Sequence, residues 1–365
     1  MSPWGDPGVS ELLQIQETTL NMPNTTGGQV TRTLQRSGLL KKLRFQAQAQ
    51  VSVSAYTSAP TKSVYGPLGA FINRIRVEAN GQIPLVDLSG LGAAIYNEVQ
   101  NRDGSILSTP PALGATVTNM GTSADLVTYP AIGATGTFTA YAPFEFNFAL
   151  PFNISGQIQE LGLWLLQNQA IDVGINVQFN DPAPAAAANN ALWGGGTNTK
   201  VGVVANSFLQ IERELYTIPA DPKNYPNLQW AHQVIEFDNP FTGNFSRFSI
   251  PRAGLILRAI VINLDSSGLP VENTDVSSLK WMYGSNDTPI SRPGIMTNAE
   301  YVQDYNRNPP KGVQVLDFYK WGENGLEFVK SSEDLANLRT ETNYTATASG
   351  TQKIILDRLI PVAAR

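Results

Sequence analysis

The sequence predicts an all-β chain of two related, strand-rich blocks in tandem, and three observations carry that expectation. The chain repeats itself faintly. Leu34-Gln35-Arg36-Ser37-Gly38-Leu39-Leu40-Lys41-Lys42 returns at a constant offset as Ile250-Pro251-Arg252-Ala253-Gly254-Leu255-Ile256-Leu257-Arg258, with Arg, Gly and an aliphatic pair in register. A second echo follows in the same order: Glu212-Arg213 leads into Ile218-Pro219, and Asp357-Arg358 into Ile360-Pro361. Tandem echoes in matching order mark a duplicated unit. The third observation is period-two alternation. Leu43, Phe45, Ala47, Ala49, Val51, Val53 and Ala55 alternate with Arg44, Gln46, Gln48, Gln50, Ser52 and Ser54. A strand sends successive side chains to opposite faces, so one set meets a core and the other does not.

The elements follow in chain order. Residues 6–20 read as a short helix, capped by Asp6, with Pro7 at its first position and Val9, Leu12, Leu13 and Leu20 on one side. Asn21-Met22-Pro23-Asn24 stops it, and a polar stretch makes it a tethered arm. After the strand from Leu43, a helix is expected over Leu88–Gln100. Alternating strands are expected over Phe138–Leu150, Ile171–Phe179 and Phe208–Ile218. Residues 101–135 and 181–199 are rich in Gly, Pro, Ala and Thr and read as long loops on exposed or intersubunit surface. They make the first block the longer one. Ala220 to Pro226 reads as a linker. In the second block Leu255–Leu264 is apolar almost throughout and is expected to be covered on both faces. A helix over Asn298–Asn306 and strands over Val313–Tyr319, Leu326–Lys330 and Lys353–Ile360 complete the set. Asn80-Gly81, Ser267-Gly268 and Asn324-Gly325 are turn dipeptides.

Composition narrows function. The chain has 365 residues, long enough for two domains. Charged residues make up 15%, against roughly 25% in an ordinary soluble domain. So low a charge fits a surface largely hidden in an assembly. The net charge of −5 argues against a specific nucleic-acid grip. With no cysteine, disulfides, thiolate metal sites and cysteine nucleophiles are excluded; with one histidine, so are multi-histidine metal sites. No apolar run is long enough for a membrane-spanning helix, and the N-terminus does not read as a signal peptide. The sequons at Asn24, Asn153, Asn244, Asn286 and Asn343 carry no weight in a chain this rich in Asn and Thr.

Candidate chemistry is sparse. Gly194-Gly195-Gly196 lacks the Lys-Ser/Thr of a phosphate loop and reads as flexible loop. Ser277-x-x-Lys280 lacks the partner motifs of a penicillin-binding site. Glu212 and Glu214 share a strand face, as a glycosidase pair could, with Asp172 and Asp221 elsewhere; solvated strand carboxylates are the preferred reading. His232 with Glu236 has neither third partner nor nucleophile, and His232 is taken as an interfacial or surface histidine. Lys41, Lys42 and Arg44 form the densest basic cluster; ion pairing to a neighbouring strand is preferred to phosphate or acidic lipid. Trp164, Trp193, Trp230, Trp281 and Trp321 are assigned to core or subunit packing rather than to sugar stacking. The chain is therefore expected to be no enzyme, with no catalytic, cofactor-binding or metal-binding residue and no cofactor.

Two tandem β-blocks, each with a short helix after its opening strands, describe a double jelly roll. Here the sequence resembles the major capsid proteins of tailless icosahedral viruses with an internal membrane, the tectivirus type. The likeness rests on Gly133-Ala134-Thr135-Gly136 running into the aromatic strand Phe138–Phe148 and on Asn153-Ile154-Ser155-Gly156 before the strand ending Val177-Gln178-Phe179-Asn180. It rests also on Pro310-Lys311-Gly312-Val313 leading through Asn324-Gly325 into Leu326-Glu327-Phe328. It spans about residues 30 to 361. The resemblance implies two tandem eight-stranded jelly rolls with short helices and an N-terminal helical arm. The domains are then 1–29 for the arm, 30–219 for the first jelly roll with its long loops, 220–229 for the linker and 230–365 for the second. It implies homotrimers forming pseudo-hexagonal tiles of a virion shell, with host cytoplasm as the site before assembly. The implied partners are neighbouring capsid trimers, vertex (penton) and minor capsid proteins, and an internal viral membrane, with no specific nucleic acid. The rival from another class is a carbohydrate-active or carbohydrate-binding β-sandwich. A tailed-phage coat fold would need a long helix that the sequence lacks.

Overall fold

The computed structural model describes residues 12–17, 19–21, 28–53, 61–62, 72–100, 136–154, 157–166, 171–179, 189–190, 193–194, 201–203, 207–218, 225–283, 287–306, 308–319, 330–331 and 338–362. They fall into two compact units. Unit 1 holds the described residues up to Gln100, those up to Ala149, and Leu163–Tyr225; unit 2 holds Leu150–Gly162 and the described residues from Pro226 onward.

Unit 1 contains β1 (Leu12–Gln16), β2 (Gln29–Thr33), β3 (Leu39–Val53), β4 (Ile72–Ala79), β5 (Ile83–Ser89), α1 (Gly90–Gln100), β6 (Gly136–Asn147), β7 (Val173–Phe179) and β8 (Phe208–Tyr216). Antiparallel pairing gives one sheet in the order β1-β8-β3-β6. A second sheet runs β2-β7-β4-β5. Unit 2 contains β9 (Trp230–Thr242), β10 (Phe245–Ser249), β11 (Leu255–Asp265), β12 (Val276–Tyr283), β13 (Asp287–Arg292), α2 (Gly294–Tyr305), β14 (Val313–Asp317), β15 (Arg339–Tyr344) and β16 (Ser349–Pro361). Its sheets run β9-β16-β11-β14 and β10-β15-β12-β13. Strand for strand this is the same order, and in both units the helix follows the fifth strand. Eight antiparallel strands so connected form a jelly roll. The chain is a double jelly roll.

The local reasons are plain in the sequence. In β3, Leu43, Phe45 and Ala47 are buried while Arg44, Gln46 and Gln48 are not, as alternation requires. β11 is buried at every position between its ends, so both of its faces are covered. Ile256, Ala259 and Val261 of β11 join Ile354 and Leu356 of β16 and Leu279 and Trp281 of β12 in one core cluster, which is a two-sheet core. Asn80 and Gly81 both have positive φ and close the β4–β5 hairpin, the backbone that a two-residue turn of this hand demands. Gly268, at φ +76°, turns the chain after β11, where Asp265 Oδ1 accepts the N–H groups of Ser267 and Leu269. The expected helices appear as α1 and α2. The hydroxyl of Ser89 accepts from Gly92 at the start of α1, and Asn306 closes α2 in the left-handed region.

One expectation is corrected. The helix over residues 6–20 is not present where the chain is described: Leu12–Gln16 is a strand paired with β8, and Leu20–Asn21 pairs with the same strand. A short amphipathic segment cannot hold a helix alone, and the open edge of β8 supplies hydrogen-bond partners that a helix would have to forgo. Leu150–Gly162 groups apart from its neighbours in sequence. It lies within the span 30–219 assigned to the first jelly roll, yet it belongs to unit 2. Its antiparallel hairpin, Leu150–Ile154 with Gln157–Leu161, buries Leu150, Phe152 and Leu161 with Leu257, Tyr319 and Leu359. An apolar hairpin follows the surface that buries it, whatever its place in sequence. The expectations for residues 101–135, for most of 181–199, for the linker up to Asn224 and for Asn324-Gly325 through Phe328 lie outside the described residues, as do the side chains of Trp193 and Trp321. Trp164 and Trp281 are buried, and Trp230 packs on the hairpin cluster.

Candidate functional site

The two sequence echoes meet in space, within each unit separately. Arg213 projects from β8 into unit 1 and is 1% exposed. Its Nη1 donates to the backbone carbonyl of Gln35 at 2.8 Å and to Ser37 Oγ at 3.3 Å; its Nη2 donates to Gln35 Oε1 at 3.0 Å. Its Nε lies 2.6 Å from Glu17 Oε1. In unit 2, Arg358 of β16 donates from Nη1 to the backbone carbonyl of Pro251 at 3.3 Å and from Nε to Gln233 Oε1 at 2.7 Å. Gln35 and Pro251 each stand three residues before a glycine in the left-handed region, Gly38 at φ +69° and Gly254 at φ +62°. Each arginine thus pins the last strand of its jelly roll to the entry of the third. The compensation differs. Arg213 faces a carboxylate, whereas Arg358 faces a neutral amide, and burial pushes its guanidinium down to about 10.

The outer face of the first sheet of unit 1 is a lattice of ion pairs. Lys42 Nζ lies 3.1 Å from Glu145. Arg44 lies 3.3 Å from Glu145, 2.8 Å from Glu212 and 3.5 Å from Glu214. Lys41 lies 2.9 Å from Glu214. Burial raises the Glu214 pKa, but the hydrogen bond from Lys41 and the charges of Lys41, Lys42 and Arg44 outweigh it and hold the carboxyl below its ordinary range. The basic cluster is ion-paired across strands, as expected. Glu212 and Glu214 share a face, as expected, but bases clamp both, which removes the free acid and free base that glycoside cleavage needs. Asp172 is far from them in the fold's wiring: it pairs with Arg36 at 2.8 Å on exposed surface.

His232 departs from expectation. It is 2% exposed, neither surface nor rim, and its Nε2 lies 2.5 Å from Asp357 Oδ1. Asp357 Oδ2 lies 3.5 Å from Arg258 Nε, which lies 3.8 Å from Asp317 Oδ1. Tyr305 of α2 donates to Asp317 Oδ2. The sequence hid this group because its members sit on five different elements. Glu236, the neighbour weighed for His232, pairs instead with Lys353 at 2.7 Å. A histidine, a guanidinium and two carboxylates interleave in the buried interior of unit 2, where the low dielectric strengthens each contact.

Among the described residues of unit 2, helix α2 carries the two most exposed large apolar side chains. Gly294, Thr297, Tyr301 and Tyr305 face inward, while Ile295 is 60% and Met296 57% exposed. A shallow groove of about 270 Å³ runs beside them, lined by Ile295, Ala299, Val302, Pro309, Asn273 and Lys311 among others. Among the described residues no group of three or more His, Cys, Asp or Glu is placed to hold a metal ion, and no helix is long and apolar enough to cross a membrane.

A duplicated jelly roll with this wiring belongs to a structural class that solved proteins share. The chain is similar to the major capsid protein of STIV, Sulfolobus turreted icosahedral virus, at 17% identity and TM-score 0.63 over 97% of each chain. It is similar to the Faustovirus major capsid protein at 9% identity and TM-score 0.56, over 98% of this chain and 92% of that one. It is also similar to the major capsid protein P2 of bacteriophage PM2 at 10% identity and TM-score 0.55, over 97% and 99%. No family model matches, and no curated protein matches. The chain has the double jelly-roll fold of these viral major capsid proteins.

Proposed function

We propose that the chain is the major capsid protein of an icosahedral virus, assembling as homotrimeric, pseudo-hexagonal tiles of a shell that encloses an internal membrane. One observation carries the reading: the same eight-stranded order, with its helix in the same place, occurs in both units. Three copies of such a chain supply six similar bodies, which is what a near-hexagonal tile requires of a trimer. The 15% charged residues support the reading, because a tile hides its flanks against neighbours. Its work is structural, not catalytic, and its place is the virion shell, with host cytoplasm before assembly. Its partners are its own trimer mates, adjacent trimers, vertex and minor capsid proteins, and the membrane beneath.

Light scattering after size exclusion tests this. A particle of three times 39.5 kDa at micromolar concentration is the expected result. A monomer across that range, retained on immobilised glycans, would replace this reading with the carbohydrate-binding sandwich.

A further inference from the structure

In unit 2 the hairpin Leu150–Leu161 and a charged cluster share one face of the β9-β16-β11-β14 sheet. The hairpin sets Leu150, Phe152 and Leu161 on Leu257, Tyr319 and Leu359. The rings of Phe152 and Tyr319 lie 4.8 Å apart, and the Tyr319 hydroxyl donates to the Pro151 carbonyl. The His232 N–H reaches the Gly162 carbonyl at 3.5 Å. Beside these apolar contacts stand His232, Asp357, Arg258 and Asp317, none more than 4% exposed. The register of β11 against β16 slips between Ile256 and Arg258. That bulge turns Leu257 to the hairpin and leaves Arg258 between Asp357 and Asp317, while Ile256 and Ala259 stay in the two-sheet core.

The charges of this cluster balance only with one more proton. Asp357 and Asp317 bring two negative charges, and Arg258 brings one positive. Tyr305 adds none, because burial above all pushes its phenol well above the ordinary 10. The neighbouring charges are held elsewhere or point away. Glu236, on the same face of β9 as His232, is paired with Lys353 at 2.7 Å. Arg358 alternates to the opposite side of β16, where it donates to Gln233. Glu160, the one charged residue of the hairpin, alternates with Leu161 to its other face. A site out of water resists net charge. We infer that Leu150–Gly162 is a proton-linked strap: it closes over the cluster when His232, 2.5 Å from Asp357, carries a proton, and loosens when that proton leaves. Loosening admits water, which solvates the charge left over. The sign follows from linkage. Closure binds a proton, so closure is full at low pH and is lost as pH rises. The residues on either side in sequence, Ala149 and Leu163, belong to unit 1, so the strap is also a joint in the chain. The inference needs only unit 2 and stands apart from the capsid reading.

His232 is the one histidine of the chain, so its imidazole is read directly by nuclear magnetic resonance of histidine-labelled protein. Amide hydrogen exchange over residues 150–162 is followed by mass spectrometry from about pH 5 to about pH 9, a range that spans histidine titration, and corrected for the intrinsic rate. In the parent chain the corrected exchange should rise with pH, by up to about tenfold per pH unit, the limit for one linked proton. The imidazole signals should change over the same interval. Two variants should then move in opposite directions. Asp317→Asn removes one negative charge, keeps an acceptor for Tyr305 and balances the cluster without the proton; its strap should stay closed and the rise should vanish. His232→Gln keeps a donor for Asp357 but cannot be charged, and its strap should be loose at every pH. A flat parent profile overturns the proposal, whether or not the imidazole titrates. So does an Asp317→Asn strap that loosens and keeps its rise with pH, since the cluster would then act only as packing. If His232→Gln fails to fold, the parent profile and Asp317→Asn still decide.

Discussion

Arg213 and Arg358 do the same work in two copies of one fold: each donates to the backbone carbonyl of the residue three positions before a left-handed glycine, at 2.8 Å to Gln35 and 3.3 Å to Pro251. Neither bond joins residues near in sequence. Each ties the last strand of a jelly roll to the entry of the third strand, and that closure lets the first sheet form in the same order twice. The echo in the sequence is the trace of this shared closure.

The glycines at that entry should be intolerant of any side chain, and unequally so. A Cβ at Gly254 would stand 1.8 Å from the carbonyl oxygen of Leu359, and one at Gly38 would stand 2.7 Å from that of Tyr216. Both glycines also have positive φ, which costs an L-residue on the order of 1–2 kcal/mol. Gly38→Ala should lower stability by about 1–3 kcal/mol, and Gly254→Ala by more, because backbone must move. Denaturant titration of the two variants checks the order; equal midpoints would contradict it.

The two arginines should respond differently to loss of charge. Arg213→Met strands the carboxylate of Glu17 in a buried site, a loss of about 3–5 kcal/mol for a broken buried pair, softened by Arg32 at 3.1 Å from the same carboxylate. Arg358→Met leaves only the neutral amide of Gln233 and should cost less. The melting temperatures of both variants decide this, and a larger drop for Arg358→Met would refute the electrostatic distinction.

Removing residues 1–25 should weaken unit 1, contrary to what a tethered helical arm implies. The deletion takes away β1, its five registered pairs with β8, and Glu17 with its bonds to Arg213 and Arg32. The deleted protein should melt at lower temperature and show faster amide exchange along β8. Parent-like protection of Ile211 and Arg213 would mean that the strand contributes nothing.

The ion lattice should set both pH limits of unit 1. Glu214 has a folded pKa below its ordinary 4.5, so its contribution is present above that value and is lost as pH falls through the folded one. Burial lowers the Lys41 pKa, but its bonds to Glu214 and Tyr216 raise it above 10.5; that contribution is full below 10.5 and lost as pH rises through the folded value. Glu214→Gln should therefore flatten the acid limb of the melting profile and leave the neutral plateau lower. An unchanged acid limb would show that other carboxylates govern it.

Strands whose inward positions are all apolar were legible residue by residue. The alternation of β3 and the unbroken apolar run of β11 gave their faces directly, and Asn80-Gly81 gave its hairpin. β1 was not legible, because none of its side chains is fully buried and the buried residue just past its end is a charge, Glu17, whose partner Arg213 lies on the last strand of the unit. The same blindness hid the interior tie at His232, whose Asp357 and Arg258 are brought beside it only by sheet pairing. The hairpin Leu150–Leu161 alternates like any strand pair, and periodicity says which residues seek a core but not which core. The exposed face of α2 left no mark either, since Ile295 and Met296 fit a buried helix equally well.

Electron microscopy of the purified oligomer tests the central claim most directly. Class averages viewed down the symmetry axis should show a three-fold particle with a near-hexagonal outline made of six similar lobes, two from each chain. Particles of single-chain size at every concentration, or a two-fold dimer, would contradict the assignment of this double jelly roll to a capsid tile.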